Sequence, residues 1–157
     1  MGLQFWADLD HTIYNTGKLT VPPRSWPGVL SSAGPYAFPA GGQSGLVNHA
    51  FLTQYLAVRP WSADTAAEPF LDLDSLTAVL QFYQDGMTRG ILAPTILDYN
   101  TVDDCMEAYI AGEATVSHVS AHSYLVERTE LQGAGVAPIP AISGAGPPIT
   151  EGWVLVL

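Results

Sequence analysis

Apolar and polar residues follow one another along the chain in short blocks, and prolines and glycines separate most blocks from the next. The first block, Leu3 to Tyr14, is rich in aromatic and β-branched residues and predicts a strand with a polar patch at Asp8, Asp10 and His11. Period-2 or short apolar runs predict four more strands, at Tyr36–Phe38, Ala114–Val119, Gly135–Pro140 and Trp153–Leu157.

Apolar residues at helical spacing predict helices between these strands. We expect helices from Ser25 to about Ser32, from about Leu46 to Val58, from Asp74 to Gly90, from Thr101 to Gly112 and from Ser120 to about Arg128. The predicted N-caps are Ser25, Asp74 and Thr101, the last in a capping-box-like pair with Asp104. Helices and short strands therefore mix along the chain, which indicates the α/β class.

The spacing also predicts which helix faces are buried. The helix that starts at Asp74 has an inward face of Leu76, Val79, Leu80, Tyr83 and Met87. The helix that starts at Thr101 has an inward face of Val102, Cys105, Met106, Tyr109 and Ile110. The helix before them has a stripe of Leu46, Phe51, Leu52, Tyr55 and Leu56.

Length and charge exclude several classes of protein. A chain of 157 residues is long enough for one domain with a sizeable core, and its single cysteine excludes a disulfide scaffold. Lys plus Arg number 5 against 15 Asp plus Glu, a net charge of -10 that would repel phosphate backbones, so we expect no nucleic-acid partner. No apolar run approaches the roughly 20 residues of a membrane span, and the first ten residues lack the features of a signal peptide.

The histidines raise the possibility of metal chemistry. His118 and His122 lie four residues apart, a spacing that would place both on one face of a helix. The surrounding residues predict a strand, however, which would separate the two side chains by about 13 Å. There is no HExxH or CxxC motif. A metal-binding protein or metal-dependent enzyme that uses His118, His122 and carboxylates is therefore the alternative function, and no metal or other cofactor is assigned.

Nucleophilic catalysis has less support. There is no G-x-S-x-G motif, and Cys105 lies on an apolar helix face where a thiol is usually inert. We therefore expect a protein that is not an enzyme.

Six segments, taken in order, resemble one known family. They are Ile13-Tyr14-Asn15, Pro22-Pro23-Arg24-Ser25-Trp26, Tyr36-Ala37-Phe38 with the Gly-rich loop and Asn-bearing helix after it, Asp74 to Gly90, Tyr109 to Ala114, and Gly135 to Pro140. In this order they resemble the extracellular solute-binding proteins of ABC importers, in particular the carbohydrate-binding group that includes maltose-binding protein. The resemblance covers nearly the whole chain.

This resemblance implies an architecture and a function. Residues 1–157 would form a single α/β lobe, a short central sheet flanked by helices, similar to the second (C-terminal) lobe of a two-lobe periplasmic-binding-protein-like fold excised from a longer parent. The missing leader would then precede the first lobe. The implied function is reversible capture of a sugar or similar polyhydroxyl solute in the cleft between lobes. The implied partners are the first lobe and an ABC permease, outside the cytoplasm or tethered to the outer face of its membrane.

The resemblance also points to particular side chains. It places Asp8 at a ligand-facing carboxylate, Asn48 near a polar ligand contact, and His122 where the family usually has a stacking Trp. Because His122 departs from that Trp, Tyr124 is the residue that would supply a ring.

Each of these residues has a plainer interpretation. Asp8 in a strand would simply face solvent, Asn48 would cap a helix, and His49 and His122 would be surface histidines. Trp153 would belong either to the hinge core or to the cleft wall. The predicted ligand-binding set is Asp8, Asn48, His49, His122, Tyr124 and Trp153.

Overall fold

A computed structural model describes residues 2–42, 48–59, 71–146 and 150–156. Within these ranges the chain forms five strands and five α-helices, and it confirms the α/β class. The strands are β1 Gly2–Asn15, β2 Tyr36–Ala37, β3 Val116–Ser120, β4 Ala134–Ala137 and β5 Thr150–Val156. The helices are α1 Trp26–Leu30, α2 His49–Val58, α3 Leu73–Thr88, α4 Val102–Ile110 and α5 Ala121–Val126, with a 3-10 turn at Pro94–Leu97.

The long strand β1 organises the described sheet. Its first half pairs antiparallel with β5, from Gly2 opposite Val156 to Leu9 opposite Thr150. Its second half lies between β3 and β4 and is antiparallel to both, while β2 adds to the far side of β3 in parallel. The polar patch predicted at Asp8, Asp10 and His11 therefore falls where β1 changes its pairing partners. Its side chains are not part of the core clusters.

The main core forms where the helices meet β2 and β3. Trp26 of α1 stacks on Phe82 of α3 with ring centroids 4.8 Å apart, and Tyr36, Phe38 and Tyr55 are almost completely buried in the same cluster. An aromatic pair of this kind contributes about 1 kcal/mol beyond the area it buries. A smaller cluster of Ile13, Met106, Val119 and Leu131 lies on the other side of β3 and β1.

Helix ends follow the predicted chemistry with two corrections. Ser25 caps α1, and Thr101 with Asp104 forms a complete capping box on α4. The cap of α3 is Asp72 rather than Asp74, because the Asp72 carboxylate accepts the hydrogen bond from Ser75 N–H. Helix α2 begins at His49, since Asn48 is its cap, so the predicted start at Leu46 is wrong and Leu46 itself lies outside the described residues.

Two of the predicted inward faces each contain one exposed residue. In α3, Val79 is buried and Leu76, Tyr83 and Met87 pack partly buried against the main core as predicted, whereas Leu80 is 51% exposed and Phe82 is buried. The reason is close packing at Gly86, where a Cβ would lie 2.5 Å from Leu92 Cγ. In α4, Ala108 is buried and Ile110 is 45% exposed, because the helix ends there, just before Gly112 takes a positive φ of 80°.

In α2, the buried residues are Ala50, Thr53, Gln54 and Tyr55, so Tyr55 is the fully buried member of the described part of the predicted stripe, and Phe51 packs partly buried against the core. Among the described residues, no helix has both the length and the apolar character needed to cross a bilayer.

Candidate functional site

A polar cleft of about 570 Å³ lies beside the middle of β1. Its walls come from β1, the loop that follows β2, the first turns of α2 and α4, and the junction between β3 and α5. Four of the six predicted binding residues, Asp8, Asn48, His49 and His122, contribute to these walls. The fold therefore brings together side chains that are up to 114 positions apart in the sequence, as in the contact between Asp8 and His122.

Helix N-termini supply much of the polar character of the cleft. Asn48, Thr101 and Ser120 cap α2, α4 and α5 respectively, and each accepts a hydrogen bond from a backbone N–H of its own first turn. The first turns of α2 and α4 carry the partial positive charge of a helix N-terminus. Negatively polarised oxygen atoms are therefore stabilised where these turns reach the cleft.

Asp8 connects β1 to the start of α5. One carboxylate oxygen accepts hydrogen bonds from Leu9 N–H at 2.9 Å and from His122 N–H at 3.0 Å. Burial raises the pKa of this carboxyl, but hydrogen bonds from the His122 backbone, the Ser120 side chain and the Leu9 backbone outweigh it, so the pKa lies below its ordinary value. Asp8 is thus an oriented, ionised acceptor at the cleft edge rather than a strand residue that faces only water.

A chain of hydroxyl groups continues from this point. Ser120 Oγ lies 3.1 Å from Ser123 Oγ, and Ser123 Oγ donates to an Asp103 carboxylate oxygen at 2.7 Å. The chain joins the start of α5 to the start of α4. Asp103 lies in the first turn of α4 and lines the cleft, a placement that the sequence analysis did not predict.

Asn48 is chiefly a structural residue. Its side-chain oxygen accepts from Ala50 N–H at 2.7 Å and Phe51 N–H at 3.3 Å, and its amide nitrogen donates to Gly41 O. The side chain thus fixes the loop after β2 against the start of α2. This is the capping role that the sequence offered as the plainer interpretation.

The exposed histidines lie on different cleft walls. His49 is the first residue of α2 and His122 lies in the first turn of α5, and both side chains are exposed. The ring nitrogens of an imidazole can form hydrogen bonds with solute hydroxyl groups. The binding role predicted for these residues stays a prediction.

His118 is different, because it is 1% exposed at the base of the cleft. Its Nε2 lies 2.5 Å from the Tyr36 hydroxyl oxygen. Burial, together with the nearby His11, lowers the pKa of His118 to about 3, so the ring is neutral near pH 7. The sequence analysis considered His118 only as a metal ligand and did not predict its place in the cleft wall.

The structure does not assemble that metal site within the residues it describes. His118 is in strand β3 and His122 is in helix α5, as the strand pattern indicated. Across residues 2–42, 48–59, 71–146 and 150–156, no group of three or more His, Cys, Asp or Glu side chains is arranged to hold a metal ion.

Two predicted residues are not placed in the cleft. Tyr124 lines a neighbouring apolar groove with Leu125 and Val136, and its ring meets His11 edge-on at a centroid distance of 5.6 Å. Trp153 pairs through its backbone with Trp6 between β5 and β1, and its side chain lies outside the described part of the structure. The stacking ring expected from Tyr124 is therefore not supplied to this cleft.

Other cleft residues were also missed. Asp10 lies two positions after Asp8 on β1 and lines the same cleft, a placement that strand periodicity would have indicated. Thr53 and Asn100 join it from α2 and from the residue before the α4 cap. No sequence signal pointed to Thr53, because a threonine one turn inside a helix usually serves packing.

Cys105 lies away from the cleft chemistry. It is fully buried on α4, and its thiol contacts Thr101 O at 3.5 Å. Burial, with smaller effects of Asp104 and Asp10, raises the pKa of the thiol far above its ordinary value. The inert thiol predicted from the apolar helix face agrees with this environment.

No protein-family model matches the sequence, and the comparison with curated proteins gives no match. Solved structures do match. Maltose-bound T. maritima MalE3 superposes with a TM-score of 0.79 at 18% identity, over 98% of this chain and 44% of that chain. An ABC transporter solute-binding protein from Thermotoga lettingae TMO, bound with α-D-tagatose, gives 0.73 at 17% identity, again over 98% and 44%.

The GacH receptor of Streptomyces glaucescens gives a TM-score of 0.74 at 14% identity, over 98% of this chain and 42% of that chain. This chain thus spans less than half the length of each of these proteins. The predicted resemblance is confirmed at the level of the fold: the chain has the mixed α/β architecture of one half of a two-lobe periplasmic-binding-protein fold.

Proposed function

We propose that this chain is one lobe of a two-lobe receptor that captures a neutral polyhydroxylated solute, such as a carbohydrate, for an ABC importer. The observation that carries the proposal is the convergence of Asp8, His49 and His122 on one polar cleft beside β1. The proposal is supported by the fold, because its solved counterparts include proteins described as bound with maltose and with tagatose.

The chemistry of the cleft suits hydroxyl groups. Carboxylates of Asp8, Asp10 and Asp103 accept hydrogen bonds, imidazoles donate or accept them, and the first turns of α2 and α4 favour oxygen atoms. Among the described residues that line the cleft there is no Lys or Arg. Phosphorylated or carboxylated solutes would meet the acidic groups of Asp8, Asp10 and Asp103 at the described walls, which favours neutral solutes.

The proposal assigns binding rather than catalysis to this lobe. The solved counterparts include a solute-binding protein and a receptor, which supports binding as the role of this lobe. Since a second lobe would complete the site, this lobe alone should bind weakly, because contacts and desolvation from the other side are missing. The permease partner and the extracytoplasmic location belong to the same proposal.

Calorimetric titration of the full-length protein tests this function. The panel contains neutral mono- and oligosaccharides, the matching sugar phosphates, amino acids and divalent metal ions. We expect heat from a neutral sugar and none from its phosphate. The change Asp8→Asn should weaken that binding by at least about tenfold, because a charged acceptor is lost.

A matched control is Glu113→Gln, the same acid-to-amide change on an exposed residue after the far end of α4. It should leave the affinity unchanged. Binding of amino acids or metal ions in place of every sugar would overturn the proposed solute class, and binding of zinc at a one-to-one ratio would support the metal alternative.

A further inference from the structure

His118 is a buried polar residue whose position the proposed function does not yet explain. It lies in β3 beside the rings of Tyr36 and Phe38, with centroid distances of 5.4 and 5.9 Å, and it still contributes to the cleft wall. A neutral imidazole has one N–H donor and one acceptor nitrogen. Which nitrogen carries the proton therefore decides what His118 can offer to a solute.

Tyr36 determines the tautomer of this ring. Tyr36 is 1% exposed, and among the described residues its hydroxyl has His118 Nε2 as its hydrogen-bond partner. Both groups are neutral, because burial raises the pKa of the Tyr36 phenol and lowers that of His118. If Nε2 carried the proton, the buried phenol O–H would have no acceptor here, which is unfavourable. The phenol therefore donates to Nε2, and the proton of His118 is on Nδ1.

The second nitrogen is open to the cleft. The described residues provide no hydrogen-bond partner for Nδ1 of His118. The described side-chain atoms that are both sealed from solvent and unpaired are on other residues, namely Trp26, Gln54, Tyr83 and Thr115. The place of His118 in the cleft wall, with Nδ1 not among the sealed and unpaired atoms, supports access to this N–H from the cleft.

We propose that His118 is a specificity residue, whose Nδ1–H donates a hydrogen bond to a hydroxyl or ring oxygen of the solute at the base of the cleft. Tyr36 is the positioning residue that fixes this tautomer. The inference rests on the proposed function, and it adds one donor of fixed direction to a wall otherwise rich in acceptors. A solute with an oxygen atom at this point is favoured, and one with an ammonium group there is rejected.

Two amide substitutions distinguish the roles of the two ring nitrogens. An Asn at position 118 places its amide group near Nδ1, whereas a Gln places it near Nε2. In the full-length protein, His118→Gln should bind the sugar about tenfold more weakly, and His118→Asn should stay within about threefold of the unmodified protein. A purely structural role for the ring would weaken binding equally in both, since both lose the aromatic contacts.

Nitrogen-15 NMR of histidine-labelled protein reads the tautomer directly. We expect the Nδ1–H form for His118, and a mixture of tautomers in Tyr36→Phe together with about threefold weaker binding. Circular dichroism and thermal unfolding establish which variants are folded. If His118→Gln is unfolded, the inference is tested with Tyr36→Phe instead. The inference is overturned if Tyr36→Phe changes neither the affinity for the sugar nor the tautomer of His118.

The outcomes distinguish this inference from the proposed function. If no carbohydrate binds the unmodified protein, the proposed function fails and the solute contact of His118 fails with it. If a carbohydrate binds but His118→Gln and His118→Asn bind equally well, only the inference is overturned. An Nε2–H tautomer in the unmodified protein also overturns it. The Gln-specific loss together with the Nδ1–H signal supports it.

Discussion

The burial of His118 makes acid stability a direct test of the structure. Its pKa is lowered to about 3 from an ordinary 6.5, because burial disfavours the charged ring. The unfolded chain therefore binds a proton near pH 6.5 that the folded chain rejects. This contribution to stability is complete above pH 6.5 and is lost progressively as the pH falls from 6.5 towards 3.

The size of the effect follows from the two pKa values. Each pH unit below 6.5 removes about 1.4 kcal/mol of unfolding free energy for this histidine, until the folded form is protonated near pH 3. At about pH 5 the loss is about 2 kcal/mol relative to about pH 7.5, a large part of the roughly 5–15 kcal/mol typical of a domain. His11, whose pKa is also lowered by burial, adds an effect of the same sign.

Urea denaturation at about pH 7.5 and about pH 5, followed by circular dichroism, measures this difference. His118→Asn removes the titrating group and should remove about 2 kcal/mol of the pH dependence, although it lowers stability at both pH values. His49→Asn is the matched control, because it makes the same change at an exposed position. Equal pH dependence in the unmodified chain and in His118→Asn would refute the buried, neutral histidine.

Two further predictions concern the neighbourhood of the cleft. Gly41→Ala should destabilise the chain by about 1–3 kcal/mol in urea denaturation, because its Cβ would lie 2.6 Å from Tyr99 O and 2.7 Å from Leu97 O. Gly144→Ala, which has open space, is its control, and equal stability of the two variants would contradict the close contact. Cys105 is 0% exposed, so its thiol should resist iodoacetamide in the folded chain and react with it in urea, as followed by mass spectrometry. Rapid labelling of the thiol without urea would contradict its burial.

The sequence predicted local structure well where the signal lies within a few residues. The capping box of Thr101 and Asp104 needs only neighbouring side-chain and backbone groups, so it forms as expected. The exposure of Leu80 in α3 was not predictable in the same way. Leu80 fits the apolar period as well as Phe82 does, and the close approach of Leu92 to Gly86 decides which of them is buried.

In the candidate site, too, the sequence predicted some placements and the tertiary structure decided others. Asp8, Asn48 and His122 came from the resemblance, His49 joined the predicted set as the residue beside Asn48, and the fold places all four at one cleft. Tyr124 was assigned to the same site on its position after His122, but the direction of α5 turns its ring towards His11 in a different groove. Nearness to His122 in the sequence does not place Tyr124 in the same cleft, because residues two apart on a helix do not share a face.

The sequence by itself determined the α/β class, the order of the elements and the acidic charge, because these depend on short-range spacing and on composition. Only the tertiary structure decided which polar groups act together. The approach of β1 to the start of α5 gives Asp8 its hydrogen bond to His122, and the pairing of β2 with β3 brings Tyr36 to His118. The physical reason is that hydrogen bonds and burial depend on distances in space, which a chain fixes only when its core packs.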